Sequence, residues 1–531
     1  MKNYFLINSV SMNGHDLKIS FRPDDEGENY YSIIVGVNGA GKSRLLERIG
    51  AGVFLSCCFP YSQAESEIMF RTVGGFSTRS VFNGHHLKFS SLKYYEQDIE
   101  LSVSFLLNGV LNNVRYLSFD ELSINYIYNN QDVSTKVICI SNSIYNRFFT
   151  KKEVDYFSEI YGYYGYKNLS ISEDLNSMYG YSDGVNNKVV GGFYSEVICK
   201  SFSKSNEITD KNLDFIERFG FDRYVSISLS LGDYSFGDYT GEYFDDFNYE
   251  SISKIFNFEK IDPIQKDHAI KLLLSVFQEI NLYDRVKKMR RESYCHSSLR
   301  DLLFIMSRTN GIGEVKFPDS NVFESGLAGK ITELLDLGLI VVNDVTLKKK
   351  GHSVGLKNMS SGELNCLLML LKINFEIEDN SLILIDEPEI SMHPAWQREV
   401  IPSLKKCFSE FKGCHFIIAT HSPQVVSSIP EKNSSVVILG ESNKVLNGFL
   451  LKGLSADHLL FSTLDSPGEH NEYATRVLTT ILAKLTLKKD LSVKETLFLE
   501  KAIESYPLDN KEDEHVTMKR LLKQVIALYA V

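Results

Sequence analysis

The sequence contains no run of about 18 apolar residues, the length that a membrane-spanning helix requires, so we predict no membrane partner. Its eight cysteines are scattered and include no Cys-x-x-Cys pair, which favours free thiols over a disulfide framework or a zinc site. Residues 1–7 form too short an apolar run for a signal peptide. These absences together lead us to expect a cytoplasmic protein.

An excess of basic residues is also missing. The 57 Lys and Arg residues are outnumbered by 68 Asp and Glu residues, for a formal net charge of −11. This balance argues against a surface that coats nucleic acid non-specifically, although it leaves room for a local basic groove. No sustained heptads occur, so we expect no long coiled-coil arms. The 531 residues, 43% of them apolar, correspond to about three or four structural units with sizeable cores.

One stretch organises the rest of the chain. Residues 36–43, Gly-Val-Asn-Gly-Ala-Gly-Lys-Ser, match the P-loop pattern G-x-x-x-x-G-K-[ST]. A strand-like segment precedes the stretch and a helix-like segment follows it, which favours a P-loop over a chance glycine-rich turn. We predict that Lys42 reaches the β- and γ-phosphates of ATP and takes part in catalysis, and that Ser43 holds Mg²⁺. The predicted ATP-binding residues of this loop are Gly36, Asn38, Gly39, Ala40, Gly41, Lys42, Ser43 and Arg44.

A second motif follows far along the chain. Residues 381–385 are an apolar strand that ends at the paired carboxylates Asp386 and Glu387. Ligands of open α/β sheets bind at the carboxyl ends of strands. We therefore predict that Asp386 holds Mg²⁺ and that Glu387 acts as the general base toward water.

A histidine ends the next apolar strand. Residues 414–420 lead directly into His421, which is placed to hydrogen-bond a γ-phosphate and is predicted to be catalytic, whereas His415 within the strand is interpreted as structural. Upstream, Ser360 or Ser361 is predicted to cap a helix that carries Glu363 in its first turn. Such a helix start is also an anion site, and we assign Ser360, Ser361, Gly362 and Glu363 to ATP binding.

This order of motifs resembles the ABC-type ATPases of the SMC, RecF and OLD group. The signature Met-Ser-Ser-Gly-Glu (359–363) departs mildly from that group's LSGGQ-like form, and residues 390–393 match its D-loop. The resemblance implies an α/β head, with a mixed sheet flanked by helices, that uses ATP and Mg²⁺. It also implies a homodimer in which the signature of one head completes the ATP site of the other. No clear Q-loop glutamine is found, because Gln131 precedes the expected strand.

The amino-acid sequences of residues 386–397 and 419–424 resemble those of the ATPases of bacterial anti-phage systems. The resemblance is strongest to the PtuA-like ATPases of Septu and of retron systems. That resemblance implies a neighbouring HNH nuclease, PtuB-like, as partner. In retron versions it further implies a reverse transcriptase with its RNA–DNA hybrid, and phage or other nucleic acid as the object of the response. We find no nuclease motif in this chain.

The predicted organisation has four parts. Residues 1–150 form the first half of the ATPase head, and residues 151–335 form a large, mainly helical insertion. Residues 336–450 form the second half of the head, and residues 451–531 form a helical C-terminal extension that either docks a partner or packs on the head. The basic cluster at residues 285–291 is either a phosphate contact or a solvated helix face. Residues 231–249 favour a hairpin over a contact surface.

Two other functions remain open on the sequence. A DNA-repair or DNA-end-binding ATPase of the RecF or SMC type is disfavoured by the missing coiled coil and the acidic charge. A nucleotide-binding scaffold with almost no turnover is compatible with every motif, since Glu387 shows only that hydrolysis is possible.

Overall fold

The computed structural model describes residues 4–12, 15–37, 39–58, 68–72, 78–82, 85–88, 99–118, 123–124, 135–141, 148, 161–164, 206–232, 236–237, 243–259, 261–292, 297–309, 311–319, 322, 326–440, 443–468, 470–506 and 517–529. Two compact units divide the chain: unit 1 comprises Met1–Ser170 and Glu376–Val531, and unit 2 comprises Ile171–Phe375.

The strands and helices come partly in blocks along the described chain, with strands from β4 to β11 and helices after β19. The strands are β1 (Phe5–Met12), β2 (His15–Lys18), β3 (Tyr30–Gly36), β4 (Ile68–Thr72), β5 (Thr78–Phe82), β6 (His85–Lys88), β7 (Ile99–Leu107), β8 (Val110–Ser118), β9 (Ser123–Ile124), β10 (Val137–Ser141), β11 (Tyr161–Tyr164), β12 (Val225–Leu231), β13 (Gly313–Phe317), β14 (Ile340–Lys349), β15 (His352–Gly355), β16 (Leu382–Asp386), β17 (His415–Ala419), β18 (Ser434–Leu439) and β19 (Lys444–Asn447). The α-helices are α1 (Lys42–Cys58), α2 (Asn206–Phe219), α3 (Tyr249–Ile255), α4 (Pro263–Glu279), α5 (Leu282–Glu292), α6 (Leu299–Thr309), α7 (Leu327–Asp336), α8 (Ser361–Glu376), α9 (Pro394–Cys407), α10 (Pro423–Ser427), α11 (Ala456–Ser462), α12 (Glu472–Thr486), α13 (Val493–Ser505) and α14 (Thr517–Tyr529).

Unit 1 is built on a seven-stranded sheet in the order β11-β10-β16-β17-β3-β18-β19. All of these strands run parallel except β19, which pairs antiparallel with β18, so the sheet is mixed as predicted. Every residue of β3, β10, β16 and β17 is buried, as expected for the mainly apolar strands of a parallel sheet that is covered on both faces. The register aligns Asp386 with Ala419 and Ala419 with Ile34, so β3, β17 and β16 end at one edge of the sheet.

Helix α1 lies between this sheet and a second, antiparallel sheet of order β2-β1-β7-β8. Its apolar residues Leu46, Ile49 and Phe54 belong to one core cluster that contains side chains of both sheets. Two helical glycines permit this close packing. A Cβ atom on Gly50 would lie 2.8 Å from Leu384 Cδ1 in the parallel sheet, and one on Gly52 would lie 2.8 Å from Val103 Cγ2 in the antiparallel sheet.

Unit 1 also contains the helices that follow β19. Helices α11 to α14 share a separate apolar core that includes Phe461, Leu478, Leu499 and Leu522. The C-terminal extension is therefore helical, with a core of its own.

Strands β4, β5, β6 and β9 form a further four-stranded sheet in the order β6-β5-β4-β9.

Unit 2 combines helices α2 to α8 with an antiparallel sheet of order β13-β12-β14-β15. Strand β12 is almost entirely buried, and its neighbour β13 alternates between buried and exposed residues. Alternation of that kind is typical of a strand with one face on the core and the other in solvent.

The observed division differs from the predicted domain boundaries in two places. Strand β11, which we assigned to the insertion, forms the edge of the seven-stranded sheet by pairing in parallel with β10. Residues 336–375, which we assigned to the second half of the head, belong to unit 2, since β14 pairs along most of its length with β12. The insertion region also contributes two strands as well as helices to unit 2.

The structure also bears on the predictions for residues 231–249, for the basic cluster and for membrane-spanning helices. The predicted hairpin at residues 231–249 lies partly outside the described residues, and Phe236 there bridges Phe256 instead. The basic cluster lies on α5, where Arg290 pairs with Asp245 at 3.2 Å and Arg285 donates to the Gly311 carbonyl at 3.1 Å. Gln131 lies outside the described residues. Within the part of the chain that the structure describes, none of the helices combines the length and the apolarity needed to span a bilayer.

Candidate ATP site

The P-loop connects β3 to α1, and its conformation depends on glycine. Gly39 and Gly41 have φ angles of +86° and +90°, in the left-handed region that L-residues with a Cβ avoid. Gly36 is required for a different reason, because a Cβ there would lie 2.7 Å from the carbonyl oxygen of Leu439 in β18. Asn38, also predicted to bind ATP, lies outside the described residues. Ala40 donates its backbone N–H to the Val37 carbonyl at 3.1 Å, which closes the turn.

The first two residues of α1 face the ends of the neighbouring strands. Ser43 Oγ donates a hydrogen bond to Asp386 Oδ1 at 3.0 Å, so the two predicted Mg²⁺ ligands are brought together. Burial raises the pKa of Asp386 to about 6, and the bond from Ser43 opposes that rise. The two atoms are a hydroxyl oxygen and a carboxylate oxygen, and Mg²⁺ prefers such hard oxygen ligands. A nearby positive charge would also stabilise the ionised form of the buried Asp386. Ser43 and Asp386 thus fit a magnesium ion.

Lys42 occupies the centre of the site. Its Nζ donates to the Gly36 carbonyl at 2.9 Å and lies 3.3 Å from the carbonyl of Val37 and 3.3 Å from Nδ1 of His421. Burial lowers the pKa of Lys42, and the carboxylates of Glu387 and Asp386 oppose that effect.

The contact with Lys42 identifies the tautomer of His421. An ammonium group can only donate, so Nδ1 of His421 must accept, and in the neutral ring the proton then sits on Nε2. Nε2 lies 3.3 Å from Glu387 Oε1 and donates to it. The hydrogen bond from His421 is the main cause that lowers the pKa of Glu387, which stays a carboxylate at neutral pH. Lys42, His421 and Glu387, the three predicted catalytic residues, therefore form one hydrogen-bonded chain.

Glu387 adopts an unusual backbone conformation. Its φ angle is +50°, in the left-handed region that costs a residue with a Cβ about 1 kcal/mol or more. The backbone N–H of Glu387 still donates to the Ala419 carbonyl at 2.9 Å, so the turn begins while the chain is still paired with β17. Backbone outliers of this kind cluster at functional sites.

Arg44, the remaining P-loop residue predicted to bind ATP, lines a cleft of about 620 Å³ beside the loop. The cleft has aliphatic walls from Leu17 and Leu439 and polar groups from Arg48 and Asn443. Its volume is within the range of small-molecule sites. The sequence did not indicate the contributions of Leu17, Leu439 and Asn443, because those residues come from strands and a turn that are distant along the chain.

The signature residues lie in unit 2, at the start of α8. Ser360 caps the helix by accepting the N–H of Glu363 at 3.3 Å, as predicted, and the side chain of Glu363 pairs with Lys349 at 2.8 Å. Ser361 and Gly362 form the first turn. The helix begins at Ser361 and carries Glu363 in its first turn, as predicted.

One residue near the site was not predicted to take part. Glu389 follows the paired carboxylates by two positions, and its Oε1 accepts the backbone N–H of His421 at 2.6 Å and the hydroxyl of Thr420 at 2.7 Å. The only sequence signal was a third acidic residue in the run 386–389, which by itself does not distinguish a buried acceptor from a solvated one.

A seven-stranded mixed sheet with the P-loop between β3 and α1, and with Asp386, Glu387 and His421 at the same edge, defines an α/β P-loop ATPase of the ABC type. Residues 199–427, less than half of the chain, match a family described as "AAA domain, putative AbiEii toxin, Type IV TA system".

Two retron proteins are similar to the chain. The Retron Vc95 probable ATPase of Vibrio cholerae serotype O1 biovar El Tor is 22% identical over 383 residues, which cover 66% of this chain and 71% of that protein. The Retron Ec83 probable ATPase of Escherichia coli is 30% identical over 116 residues, which cover 20% of this chain and 21% of that protein. Among solved structures, an SMC head bound to the C-winged helix domain of ScpA aligns with 83% of this chain at 12% identity, with a TM-score of 0.32.

Proposed function

We propose that this chain binds ATP with Mg²⁺, hydrolyses it, and serves as the ATPase subunit of a bacterial anti-phage defence complex. The observation that carries the ATPase assignment is the meeting of Ser43 with Asp386, and of Lys42 with His421 and Glu387, at one edge of the sheet. Each residue type matches the task that phosphoryl transfer to water requires at that place.

The P-loop binds the phosphates of ATP. The backbone N–H groups of Gly39 and of residues 41–43, together with the positive end of α1, receive the phosphates. Lys42 exchanges its contacts with the Gly36 and Val37 carbonyls for oxygens of the β- and γ-phosphates. Ser43 and Asp386 would hold a magnesium ion, which would supply positive charge to offset that of the phosphates.

Glu387 and His421 carry out the hydrolysis of ATP. Glu387 accepts a proton from the attacking water, and its retained negative charge makes it an acceptor at neutral pH. His421, which carries its proton on Nε2 in the absence of nucleotide, orients Glu387 and is within reach of Lys42, the group that contacts the γ-phosphate. Arg44 and the cleft beside the loop hold the nucleoside.

We further propose that two copies of the chain pair through their heads. In that arrangement Ser360, Ser361, Gly362 and Glu363 of one copy approach the ATP held by the other, as the resemblance to ABC-type ATPases implies. The capped N-terminus of α8 supports this role, because such a terminus attracts phosphate.

The defence role is supported by the similarity to two retron ATPases. By analogy with PtuA-like proteins, the partner is an HNH nuclease of the PtuB type, joined in a retron by a reverse transcriptase and its RNA–DNA hybrid. The helical C-terminal extension is one candidate place for a partner to dock.

The catalytic assignment is tested by Glu387→Gln. The amide keeps the shape but cannot take a proton, so we expect turnover to fall by about a hundredfold or more, at the lower limit of general-base contributions. ATP affinity should stay near the parental value. The single tryptophan, Trp396, follows this turn in α9 and provides a fluorescence signal for ATP binding. Glu399→Gln, an exposed carboxylate on the same helix, is the matched control. Equal turnover in parent and Glu387→Gln would contradict the assignment of Glu387 as base.

The defence assignment is tested by co-purification. The tagged chain is isolated from cells that carry its neighbouring genes, and the mass of the complex is determined. We expect a dimer of this chain with a small HNH protein, and with a reverse transcriptase and RNA–DNA hybrid if the system is a retron. A homodimer that binds only DNA would instead favour a repair ATPase of the RecF or SMC type.

A further inference from the structure

We propose that Glu389 is a positioning residue that fastens the loop carrying His421 to the turn carrying Glu387, so that these two groups move as one body. This inference rests on the proposed ATP hydrolysis and adds a residue to it. Two short segments are involved: the switch loop, residues 420–422, and the Walker B turn, residues 387–393.

The contacts of Glu389 join the two segments directly. Oε1 accepts two hydrogen bonds from the switch loop, one from the backbone N–H of His421 at 2.6 Å and one from Thr420 Oγ1 at 2.7 Å. Hydrogen bonds to a carboxylate are roughly twice as strong as those between neutral groups. The bond from the backbone N–H of His421 matters more for the position of the imidazole, because it holds the main chain from which that ring projects.

A second path of hydrogen bonds runs outward from the same point. Thr420 Oγ1 accepts the N–H of Ser422 at 2.9 Å, and Ser422 Oγ donates to Gln397 Oε1 at 2.7 Å. Gln397 Nε2 then donates to the Met392 carbonyl at 2.9 Å, which returns the path to the Walker B turn. The switch loop and the turn are thus joined at both ends of the turn.

The burial of Glu389 argues against an incidental contact. Its Oε2 is shut off from solvent and has no hydrogen-bond partner in the described part of the chain. An unpartnered buried carboxylate oxygen is unfavourable, since burial of a polar group without a partner costs free energy. The bonds made by Oε1 offset that cost only if the two segments stay fastened.

The consequence concerns the distance between the proposed base and the switch histidine. The Glu387 Oε1 to His421 Nε2 distance of 3.3 Å is at the long end of a hydrogen bond, so small movements of either segment would break it. Glu389 restrains both segments without touching either side chain. It therefore sets how often Glu387 is correctly oriented, and this affects turnover more than ATP binding.

The test compares Glu389→Ala with Glu389→Gln in the full chain. The alanine variant loses both bonds, and we expect kcat to fall by about tenfold or more while KM for ATP changes by less than about threefold, in line with charged hydrogen bonds. The glutamine variant keeps an acceptor oxygen and should recover most of the kcat. Thr420→Val, which removes one of the two donors, should give a smaller loss.

Asp379 supplies a matched control. Its Oδ1 also accepts a backbone N–H across two segments, that of Lys412 at 2.8 Å, at the opposite edge of the same sheet. Asp379→Ala should leave kcat unchanged. Amide hydrogen exchange gives a second readout that does not depend on activity: the amide of His421 should exchange faster in Glu389→Ala and at the parental rate in Asp379→Ala.

The inference is overturned if Glu389→Ala keeps the parental kcat, if Glu389→Gln is as slow as Glu389→Ala, or if the His421 amide stays equally protected. Failure of the proposed function is a different outcome, in which the parent itself shows no Mg²⁺-dependent turnover. In that case the exchange rate of the His421 amide alone shows whether Glu389 fastens the two segments.

Discussion

At the scale of single residues, His415 shows how the strand next to the P-loop is held. The imidazole is fully buried, accepts the backbone N–H of Ile7 on Nδ1 at 3.0 Å, and lies 2.8 Å from Ser32 Oγ on Nε2. Because Nδ1 accepts, Nε2 carries the proton and donates to Ser32. The ring is therefore neutral, and its two bonds tie β17 to β1 and β3, which agrees with its interpretation as a structural residue.

This arrangement predicts sensitivity to acid. Burial lowers the pKa of His415 to about 3, from an ordinary value near 6.5. The folded state therefore takes up the proton less readily than the unfolded state. The contribution of His415 to stability is complete above about pH 6.5 and is lost as the pH falls below that value, by up to about 1.4 kcal/mol per pH unit.

The measurement is the free energy of unfolding of unit 1 between pH 7 and pH 5, followed by amide exchange in β3 and β17. His415→Asn should flatten the dependence on pH, whereas His470→Asn, at an exposed position of the same unit, should preserve it. A parental stability that does not change over this range would contradict a buried, neutral His415.

Three carboxylates in the run 386–389 illustrate how environment separates residues of one chemical type. Burial raises the pKa of Asp386 to about 6, the bond from His421 lowers that of Glu387, and burial raises that of Glu389. The sequence could identify the first two, because they lie at the carboxyl end of a buried strand. It could not identify Glu389, whose role depends on where β17 ends.

At the scale of elements, helix α1 is the part on which the ATP site depends. It starts at the P-loop lysine and runs between two sheets, and at Gly50 and Gly52 the sheets leave no room for a Cβ atom. Glycine normally costs a helix about 1 kcal/mol relative to alanine, so its presence twice in three positions needs a packing reason. The distances to Leu384 and Val103 supply that reason.

Gly52→Ala is therefore expected to destabilise unit 1 by about 1–3 kcal/mol, the usual cost of overpacking, reduced by the better helix propensity of alanine. The methyl group would meet Val103, whose β-branched side chain has little freedom to move. Denaturant unfolding, read with exchange of the α1 amides, gives the value.

The chain contains a control for this substitution. Gly329 also lies within a helix, α7, but a Cβ there would meet no atom within 4 Å. Gly329→Ala should be neutral or stabilise unit 2 by up to about 1 kcal/mol. The packing explanation fails if Gly52→Ala is as harmless as Gly329→Ala.

At the scale of the whole molecule, the residues assigned to ATP are drawn from both units. The P-loop, Asp386, Glu387 and His421 belong to unit 1, and the signature residues 360–363 belong to unit 2. Unit 1 is assembled from two segments separated by 205 residues, the span of Ile171–Phe375. Its central sheet cannot form until the second segment supplies β16, β17 and β18.

Nucleotide should therefore stabilise unit 1 as a whole. A ligand that binds only the folded state at one hundred times its Kd adds about 2.7 kcal/mol to the free energy of unfolding. We expect ATP with Mg²⁺ to raise the unfolding midpoint by a corresponding amount, and EDTA to remove much of the shift because Ser43 and Asp386 then lack the metal. Differential scanning calorimetry measures the effect.

Lys42→Ala is the control, since it removes the charge that faces the phosphates while leaving the glycines of the loop in place. Its midpoint should change little with ATP. A shift as large as that of the parent would mean that ATP binds elsewhere or without the P-loop.

The sequence by itself determined the motifs and the sheet strands that carry them, because a P-loop and a buried parallel strand are each encoded by contiguous residues. Gly36–Ser43, Asp386–Glu387 and His421 could thus be predicted as one site, and the mixed α/β fold with them. The boundary between the units was decided by tertiary structure, since β11 joins β10 and β14 joins β12 through pairings that no local pattern encodes. The same holds for Glu389, for the walls of the cleft and for the tautomer of His421: each depends on atoms that are distant along the chain and become neighbours only when the strands align.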